Sequence, residues 1–432
     1  MRTSIFKQID NPSEFKKQLL KWAQQFGEII FLDSNVAYSN LSKYSNFDMV
    51  LAVDAFTAIK TDYKNAFEDL FQYQSHTKDW LFGYLSYDLK NDIEELESNN
   101  YDGLHFPDLY FFQPKKLFFL KGNQLEIKYL NLCDDEVELD LIEVANYSLS
   151  ITNHTLPDIK QRISKENYLK KVTKILKHIH LGNIYEANFC MEFFAKNVII
   201  NPHQIYNQLN AISEPPFAVY FKNKKCFLIS ASPERYLKKT DSKVISQPIK
   251  GTAKRSFDKD ADVQLKTALF TNEKERSENI MIVDLVRNDL SHTATKGSVE
   301  VEELCKVNTF KQVHQMISTV VSEVENTTSP IQIIKTTFPM GSMTGAPKIS
   351  AMKIIEDLEE TKRGLYSGAM GYFNPNGDFD FNVVIRSILY NSTNQYVSFS
   401  VGSAITSKSD PEQEYEECLL KAKAMFEVLL NK

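Results

Sequence analysis

The sequence is poor in cysteine and has no excess of positive charge. Its five cysteines are odd in number and none forms a CxxC pair, which argues against a disulfide framework or a zinc site. Its 50 lysines and arginines against 56 aspartates and glutamates leave a net charge of −6, so nucleic acid or an anionic membrane is not expected as a partner. An anionic substrate would need a local cluster of cations, amides or metal.

Long apolar segments are also missing. The N-terminus lacks the apolar region of a signal peptide, and no run of about 18 apolar residues occurs. We therefore expect a cytoplasmic protein without a membrane partner. The 29 phenylalanines and 20 tyrosines, against only 14 glycines and 14 prolines, favour large aromatic-rich sheets over disorder.

The pattern of predicted strands favours an α+β fold. A strand pair is predicted at 217–221 and 226–230, and a hairpin at 369–390 around a Pro-Asn-Gly turn. Because hairpins rather than helices separate these strands, we expect large antiparallel sheets with helices packed outside. A loop-like segment near 145–163 predicts a junction between an N-terminal region at 1–150 and a larger region at 160–432.

Two Glu-x-x-Glu units are candidates for a metal site. Glu275 and Glu278 lie in a predicted helix at 272–290, and Glu414 and Glu417 repeat the spacing in the C-terminal helix. Residues three apart project from one helix face. If the two faces meet, four carboxylates would need a hard divalent cation such as Mg²⁺. From spacing alone, two solvated helix faces are the more common outcome.

Two short motifs carry candidate catalytic groups. Lys250 follows an apolar pair and precedes a glycine, an arrangement that could remove its amine from water, lower its pKa and make it nucleophilic. Glu234 follows a predicted strand and could act as a general acid if burial raises its pKa. The simpler interpretations are an ordinary strand-end lysine and a surface pair between Glu234 and Arg235.

Two turns rich in small residues are candidates for binding a carboxylate. The turn at 341–348 has the wrong spacing for a phosphate loop, so a nucleoside triphosphate site is rejected, but its amides could still face a carboxylate. The turn at Gly402 and Ser403 could do the same, with Arg386 as a bidentate partner. Apolar neighbours disfavour a role for Arg386 as a lone surface cation.

Seven motifs, in the same order, resemble those of the chorismate-utilising enzymes. That family includes anthranilate synthase component I, aminodeoxychorismate synthase component I, and the isochorismate and salicylate synthases. The resemblance spans about residues 164–428 and comprises GNIYEAN at 182–188, SPER at 232–235, PIKGT at 248–252, MIVDLVRNDL at 281–290, GSMTGAPK at 341–348, GAMGY at 368–372 and EYEE at 414–417. It implies large antiparallel sheets with outer helices, the four-layer sandwich of anthranilate synthase component I.

The resemblance also implies chorismate as substrate and Mg²⁺ as cofactor. Glu278 and Glu417 match the direct metal ligands, Glu275 and Glu414 match outer positions, and His314 matches an active-site histidine beside the ring. The implied substrate-binding residues are Gly251, Thr252, Arg386, Tyr366 or Tyr372, Gly402 and Ser403.

Lys250 is the residue that distinguishes between the reactions of this family. Anthranilate synthases usually have PIAGT where this chain has PIKGT, so the resemblance implies amination of chorismate to 4-amino-4-deoxychorismate, for 4-aminobenzoate and folate synthesis. Lys250 would attack C2 of the ring, Glu234 would assist departure of the C4 hydroxyl, and ammonia would expel the lysine. The water-adding relatives carry a lysine within the segment that here reads YEAN, so water addition is disfavoured. In that segment Glu186 replaces the more usual glutamine.

The source of ammonia is expected to be a separate glutamine amidotransferase subunit, because no glutaminase Cys-His-Glu signature occurs. No lyase segment follows either, so 4-aminobenzoate itself should need another enzyme. Two alternatives stay open: anthranilate synthase component I, which forms anthranilate and pyruvate, and a catalytically silent homologue that only binds chorismate. The LDSN segment at 32–35 matches the family's tryptophan site too briefly to predict that this site is kept.

Overall fold

Strands and helices follow one another through residues 1–35, 44–148, 155–311 and 313–431, which the computed structural model describes. The strands are β1 (Arg2–Gln8), β2 (Glu28–Asp33), β3 (Met49–Thr61), β4 (Leu81–Leu85), β5 (Leu109–Lys121), β6 (Gln124–Leu130), β7 (Lys160–Gln161), β8 (Glu186–Ala195), β9 (Phe217–Asn223), β10 (Cys226–Ser232), β11 (Arg235–Thr240), β12 (Lys243–Gln247), β13 (Ile249–Lys254), β14 (Glu300–Thr309), β15 (Val313–Glu323), β16 (Gly345–Ala346), β17 (Ala369–Phe373), β18 (Phe379–Val383), β19 (Ser387–Asn391) and β20 (Tyr396–Thr406). The helices are α1 (Pro12–Ala23), α2 (Ala66–Thr77), α3 (Lys90–Ile93), α4 (Val137–Asn146), α5 (Lys165–His180), α6 (Pro202–Ser213), α7 (Lys259–Thr271), α8 (Glu273–Ser291), α9 (Pro330–Thr337), α10 (Lys348–Leu358) and α11 (Pro411–Leu429).

The strands pair antiparallel, as the hairpin pattern predicted. The longest ladders join β3 to β5 and β8 to β20. Two further ladders, β2 with β9 and β4 with β17, connect the region at 1–150 to the region at 160–432. Strands from both sides of the expected junction therefore share one sheet system. The α+β class with large antiparallel sheets is confirmed.

Both faces of the sheet are buried, which explains the aromatic-rich composition. Successive side chains of a strand point to opposite faces. In β2, Ile29 and Phe31 join one hydrophobic core, whereas Ile30 joins a second core, and helices contribute side chains to both. Full burial of one such side chain contributes about 1.5–3 kcal/mol.

The two helices with Glu-x-x-Glu units begin at clear N-caps. The Asn272 side chain accepts from the Glu275 amide at the start of α8, and Asp410 accepts from Gln413 at the start of α11. Such caps satisfy backbone amides that have no partner within the helix. They place Glu275 and Glu414 in first turns, where the helix dipole favours negative charge.

Sequence patterns located most of the elements around the site. The helix expected at 272–290 is α8, the strand pair at 217–230 is β9 and β10, and the hairpin at 369–390 contains β17 and β18. Helix α7 was missed because it has no apolar stripe, and only Leu269 is buried. Within the described residues, no helix is both long and apolar enough to cross a membrane.

Candidate active site

The centre of the site is a buried ion pair. The Nζ of Lys250 on β13 donates to Oε1 of Glu186 on β8 at 2.9 Å, and the side chains are 12% and 1% exposed. Burial alone would lower the pKa of Lys250, but the carboxylate of Glu186 and the more distant charges of Glu278 and Glu417 outweigh it and raise the pKa. The expectation of a lowered lysine pKa is therefore wrong for this state, in which Lys250 is an ammonium.

The turn after Lys250 brings α8 against β13. Gly251 has φ +96°, and a Cβ there would lie 3.1 Å from Oε2 of Glu275. The buried Asn279 donates from Nδ2 to the backbone oxygens of Lys250 at 3.2 Å and Met316 at 3.3 Å. The sequence reasoning missed this asparagine, although a polar residue on the inner face of a predicted helix is a usable signal.

Glu234 is a buried carboxyl group that lies close enough to Lys250 to feel its charge. It is 5% exposed, and burial raises its pKa to about 7, although a hydrogen bond from Ser342 and the charge of Lys250 act in the opposite direction. The backbone oxygen of Glu234 accepts from Val383 at 3.0 Å, which fixes the segment to the next strand. A carboxyl group with this pKa can hold and release a proton near neutral pH.

Helices α8 and α11 bring the two Glu-x-x-Glu units to the same place. Nζ of Lys274 lies 3.9 Å from Oε1 of Glu278 and 3.8 Å from Oε1 of Glu414, across the gap between the helices. Burial raises the pKa of Glu278 to about 7, and it also raises the pKa of Glu275 and Glu414, with Glu417 adding repulsion at both. Glu414 is buried and Glu275 and Glu278 are half-buried, so these three side chains do not lie on fully solvated helix faces.

Glu417 differs from its three neighbours. Burial would raise its pKa, but Lys421, whose Nζ lies 2.6 Å from Oε1 of Glu417, outweighs that effect and lowers it. The side chain is 47% exposed, so Glu417 stands at the open side of the cluster.

The cluster suits a hard cation that keeps part of its water. Oε1 of Glu278 is buried and has no hydrogen-bond partner among the described residues. Carboxylate oxygens are the ligands that Mg²⁺ prefers, and Mg²⁺ is commonly bound through one or two carboxylates with water and substrate completing the shell. Within the described ranges, no group of three or more His, Cys, Asp or Glu side chains is arranged to hold a metal ion on its own. The donor set therefore fits Mg²⁺ held by few direct ligands.

A second cation and a small-residue turn lie beside the cluster. Arg386 is half-buried with φ +53°, and its Nη1 donates to the backbone oxygen of Lys421 at 3.4 Å. Lys421 in turn donates to the oxygen of Gly402 at 2.8 Å. A Cβ at Gly402 would meet Sγ of Cys190 at 2.6 Å, so this close strand approach requires glycine.

Tyr366 and Ser403 belong to the same group. The buried Tyr366 interacts electrostatically with Arg386. Oγ of Ser403 lies 3.1 Å from the hydroxyl of Tyr168, and Ser403 also hydrogen-bonds Glu414. The predicted carboxylate-binding residues Arg386, Tyr366, Gly402 and Ser403 are thus assembled around β20 and the N-terminal half of α11.

Three predicted residues lie apart from this group. Tyr372 packs on Trp80 and Phe82, with ring centroids 5.5 and 5.4 Å apart, and lines a separate cavity of about 160 Å³. His314 is buried, with Nε2 3.0 Å from Oδ1 of Asp262 and Nδ1 3.1 Å from Oγ1 of Thr309. Thr252 is exposed and pairs with Gln315 across β13 and β15.

The turn at 341–348 is clamped onto β8. Gly345 has φ +152°, and a Cβ there would collide with the backbone oxygen of Glu186. The buried Arg363 donates to the oxygens of Met343 at 2.6 Å and Asn188 at 2.7 Å, and its charge is balanced by Glu359 at 2.6 Å. Sequence reasoning missed this clamp, whose only signal is an i,i+4 pair of opposite charges.

Comparison with known proteins assigns the family. A family model described as chorismate binding enzyme matches residues 33–427. Aminodeoxychorismate synthase component 1 of Bacillus subtilis (strain 168) is 32% identical, with 80% of this chain and 76% of that protein covered. Anthranilate synthase component 1 of Aquifex aeolicus (strain VF5) is also 32% identical, with 81% and 74% covered. Two plant relatives named as aminodeoxychorismate synthases are longer, and the match covers 43% and 35% of them.

A solved structure gives the same result for the fold. Anthranilate synthase component I from Streptococcus pneumoniae TIGR4 superposes with a TM-score of 0.78 at 25% identity, covering 89% of this chain and 93% of that one. The motif order, the assembled carboxylates and the family match agree. This chain belongs to the chorismate binding enzymes and is an enzyme that uses chorismate.

Proposed function

We propose that this chain is the synthase subunit of an aminodeoxychorismate synthase, which replaces the C4 hydroxyl of chorismate with an amino group. The observation that carries the proposal is Lys250, a buried lysine beside the proton-holding Glu234 and next to the carboxylate cluster. An amine at this position can form a covalent bond to the ring, which alanine cannot do. Several curated relatives carry the name aminodeoxychorismate synthase.

In the proposed reaction, the assembled groups hold the two carboxylates of the substrate. Mg²⁺ at Glu278 and Glu417, supported by Glu275 and Glu414, would neutralise the ring carboxylate. Arg386, with the amides near Gly402 and Ser403, would bind the enolpyruvyl carboxylate. This local charge replaces the overall attraction that a net charge of −6 cannot supply.

The chemical steps use Lys250 and Glu234. The neutral amine of Lys250 forms a bond to C2, the two conjugated double bonds of the ring shift from C1=C2 and C5=C6 to C6=C1 and C4=C5, and the C4–O bond breaks. Glu234 gives its proton to the departing oxygen, which leaves as water. Ammonia then bonds to C4, both ring double bonds shift back, and the C2–N bond breaks, so that the lysine leaves as an amine.

Ammonia would come from a separate glutamine amidotransferase subunit, because the sequence carries no glutaminase signature. The product would be 4-amino-4-deoxychorismate, which serves 4-aminobenzoate and folate synthesis. The cytoplasm as the compartment is also part of the proposal, supported by the five scattered cysteines. Anthranilate synthase component I is the competing function, since relatives of both names are 32% identical to this chain.

Product identification tests the proposal directly. The purified full chain is incubated with chorismate, MgCl₂ and an ammonium salt, and the products are separated by chromatography. We expect 4-amino-4-deoxychorismate, whereas anthranilate with pyruvate would establish the competing function and no turnover would establish a silent homologue. Lys250→Ala should abolish the amination, and Lys254→Ala, at an exposed position on the same strand, serves as the matched control.

A further inference from the structure

The proposed reaction does not yet specify which group removes the proton from Lys250, which is paired with Glu186. Only a neutral amine can attack carbon, yet Lys250 is held as an ammonium. The proton must therefore leave before C–N bond formation and must return when the lysine is expelled. Since the lysine side chain is only 12% exposed, bulk water is a poor acceptor and a neighbouring group is needed.

Five carboxyl groups face Lys250, and four of them are committed elsewhere. Glu417 pairs with Lys421 at 2.6 Å, and Lys274 lies between Glu278 and Glu414. Glu275 and Glu278 belong to the metal cluster, and Glu234 must itself carry the proton that the leaving oxygen takes. The groups whose charges act on Lys250 are Glu186, Glu234, Glu275, Glu278 and Glu417.

Glu186 alone among these makes a hydrogen bond to Lys250 in the described part of the chain, at 2.9 Å. Its side chain is 1% exposed, and its second oxygen, Oε2, is buried without a hydrogen-bond partner there. The paired oxygen can accept the proton along the existing hydrogen bond. Because Oε2 has no partner, the carboxyl group can hold the proton on one oxygen while the other oxygen stays hydrogen-bonded to Nζ.

We propose that Glu186 is the proton acceptor that converts the Lys250 ammonium into the attacking amine and returns the proton when the lysine is released, an inference that rests on the nucleophile role proposed for Lys250. The proton passes from Nζ to the Glu186 carboxylate, and Nζ then bonds to C2 while Glu234 protonates the departing oxygen. After ammonia has bonded to C4 and the C2–N bond has broken, Glu186 reprotonates Lys250. The new C4 ammonium group gives one proton to Glu234, which restores both carboxyl groups.

Glu186→Gln separates this role from simple charge pairing. Glutamine, the more usual residue at this position in the family, keeps the shape and an oxygen that can accept from Lys250, but it cannot take the proton, so in this chain the variant must release the proton by a slower route. We expect kcat for ammonia-dependent amination at pH 7 to fall by about 10²–10⁴-fold with KM for chorismate nearly unchanged. If Glu186 were only a counter-ion that keeps Lys250 charged, its removal would free the amine, and the rate would stay the same or rise.

The pH dependence supplies a readout that a structural role would not move. Rates of wild type and Glu186→Gln are measured from pH 7 to 9.5 at constant free ammonia, so that effects of ammonia and of Glu234 cancel in their ratio. In the variant the lysine must lose its proton to solvent, so the ratio of wild-type to variant rates should fall by about tenfold per pH unit. A ratio that does not change with pH overturns the proposal.

Two further variants keep the test decisive. Glu186→Asp retains a carboxylate, so its rate should have the pH dependence of wild type even if it is slower. This variant keeps the proposal testable if the glutamine variant fails to fold. Normal amination by Lys250→Ala would instead overturn the proposed function itself.

Discussion

The side-chain amide of Asn279 donates to the backbone oxygen of Lys250 at 3.2 Å, which fastens helix α8, with its two clustered glutamates, to the strand that carries the proposed nucleophile. The same side chain donates to Met316 and accepts from Ser318, and it is 1% exposed. One residue therefore sets the distance between the carboxylates and the lysine.

Removing this amide should weaken both the fold and the reaction. Asn279→Ala leaves buried oxygens without donors, each at a cost of about 1–3 kcal/mol. We expect a lower free energy of unfolding in urea and slower amination. Asn288→Ala, at an exposed position of the same helix, is the control and should change neither. Equal stability of the two variants would contradict the role given to Asn279.

The raised pKa of Glu234 makes stability depend on pH in a defined direction. The folded chain keeps this proton up to about pH 7, whereas the unfolded chain releases it near 4.5. The stabilising contribution is complete below pH 4.5 and is lost as pH rises through about 7. A change from 4.5 to about 7 corresponds to about 3 kcal/mol.

Glu234→Gln tests that direction because glutamine cannot ionise. The variant should gain stability relative to wild type as pH rises from 5 to 8.5, measured as free energy of unfolding at each pH. Glu300→Gln, at an exposed position of β14, should show no such trend. The glutamine variant should also lose ammonia-dependent amination, since it has no proton to give. A stability difference that is constant with pH would contradict the assignment.

The carboxylate cluster predicts that Mg²⁺ stabilises the folded chain. Ligand binding to the folded state alone raises Tm with concentration. We expect MgCl₂ to raise Tm of wild type, measured by scanning calorimetry, and to have a much smaller effect on Glu278→Gln. Glu273→Gln, at an exposed position one turn away, should respond like wild type. An equal rise in both variants would show that Mg²⁺ binds elsewhere.

Gly345 should be intolerant of any side chain. Its φ of +152° and the backbone oxygen of Glu186 leave no room for a Cβ, so Gly345→Ala must displace the turn at 341–348 from β8. We expect a large loss of amination and a lower Tm. Gly364→Ala, which also has positive φ but nothing within 4 Å of its Cβ, should cost only about 1 kcal/mol and keep activity.

Local patterns predicted the elements, and the family resemblance predicted which residues would meet. The stripe of the C-terminal helix and the hairpin turns are short-range signals, so α11, β17 and β18 lie where they were expected. The convergence of Glu275 with Glu414 depends on how two distant helices pack, which spacing alone cannot determine. The resemblance supplied that information.

Neither the local sequence patterns nor the family resemblance predicted the charge state of the site. The pairing of Lys250 with Glu186 joins residues 64 positions apart, and its effect on the lysine pKa opposes that of burial. Which effect is larger depends on a distance of 2.9 Å that no sequence pattern encodes. The engagement of both His314 ring nitrogens by Asp262 and Thr309 likewise depends on where α7 packs, and α7 has no apolar stripe.

The ladders of β2 with β9 and of β4 with β17 have a mechanical consequence. A chain cut once between α4 and β7 would yield two fragments that stay bound, because each supplies strands that complete the other's sheet. Each fragment alone would leave strands without their ladder partners, so we expect that the N-terminal region cannot be exchanged or deleted by itself. Two strand ladders cross the boundary predicted near 145–163, so the two pieces should reassemble when they are expressed together.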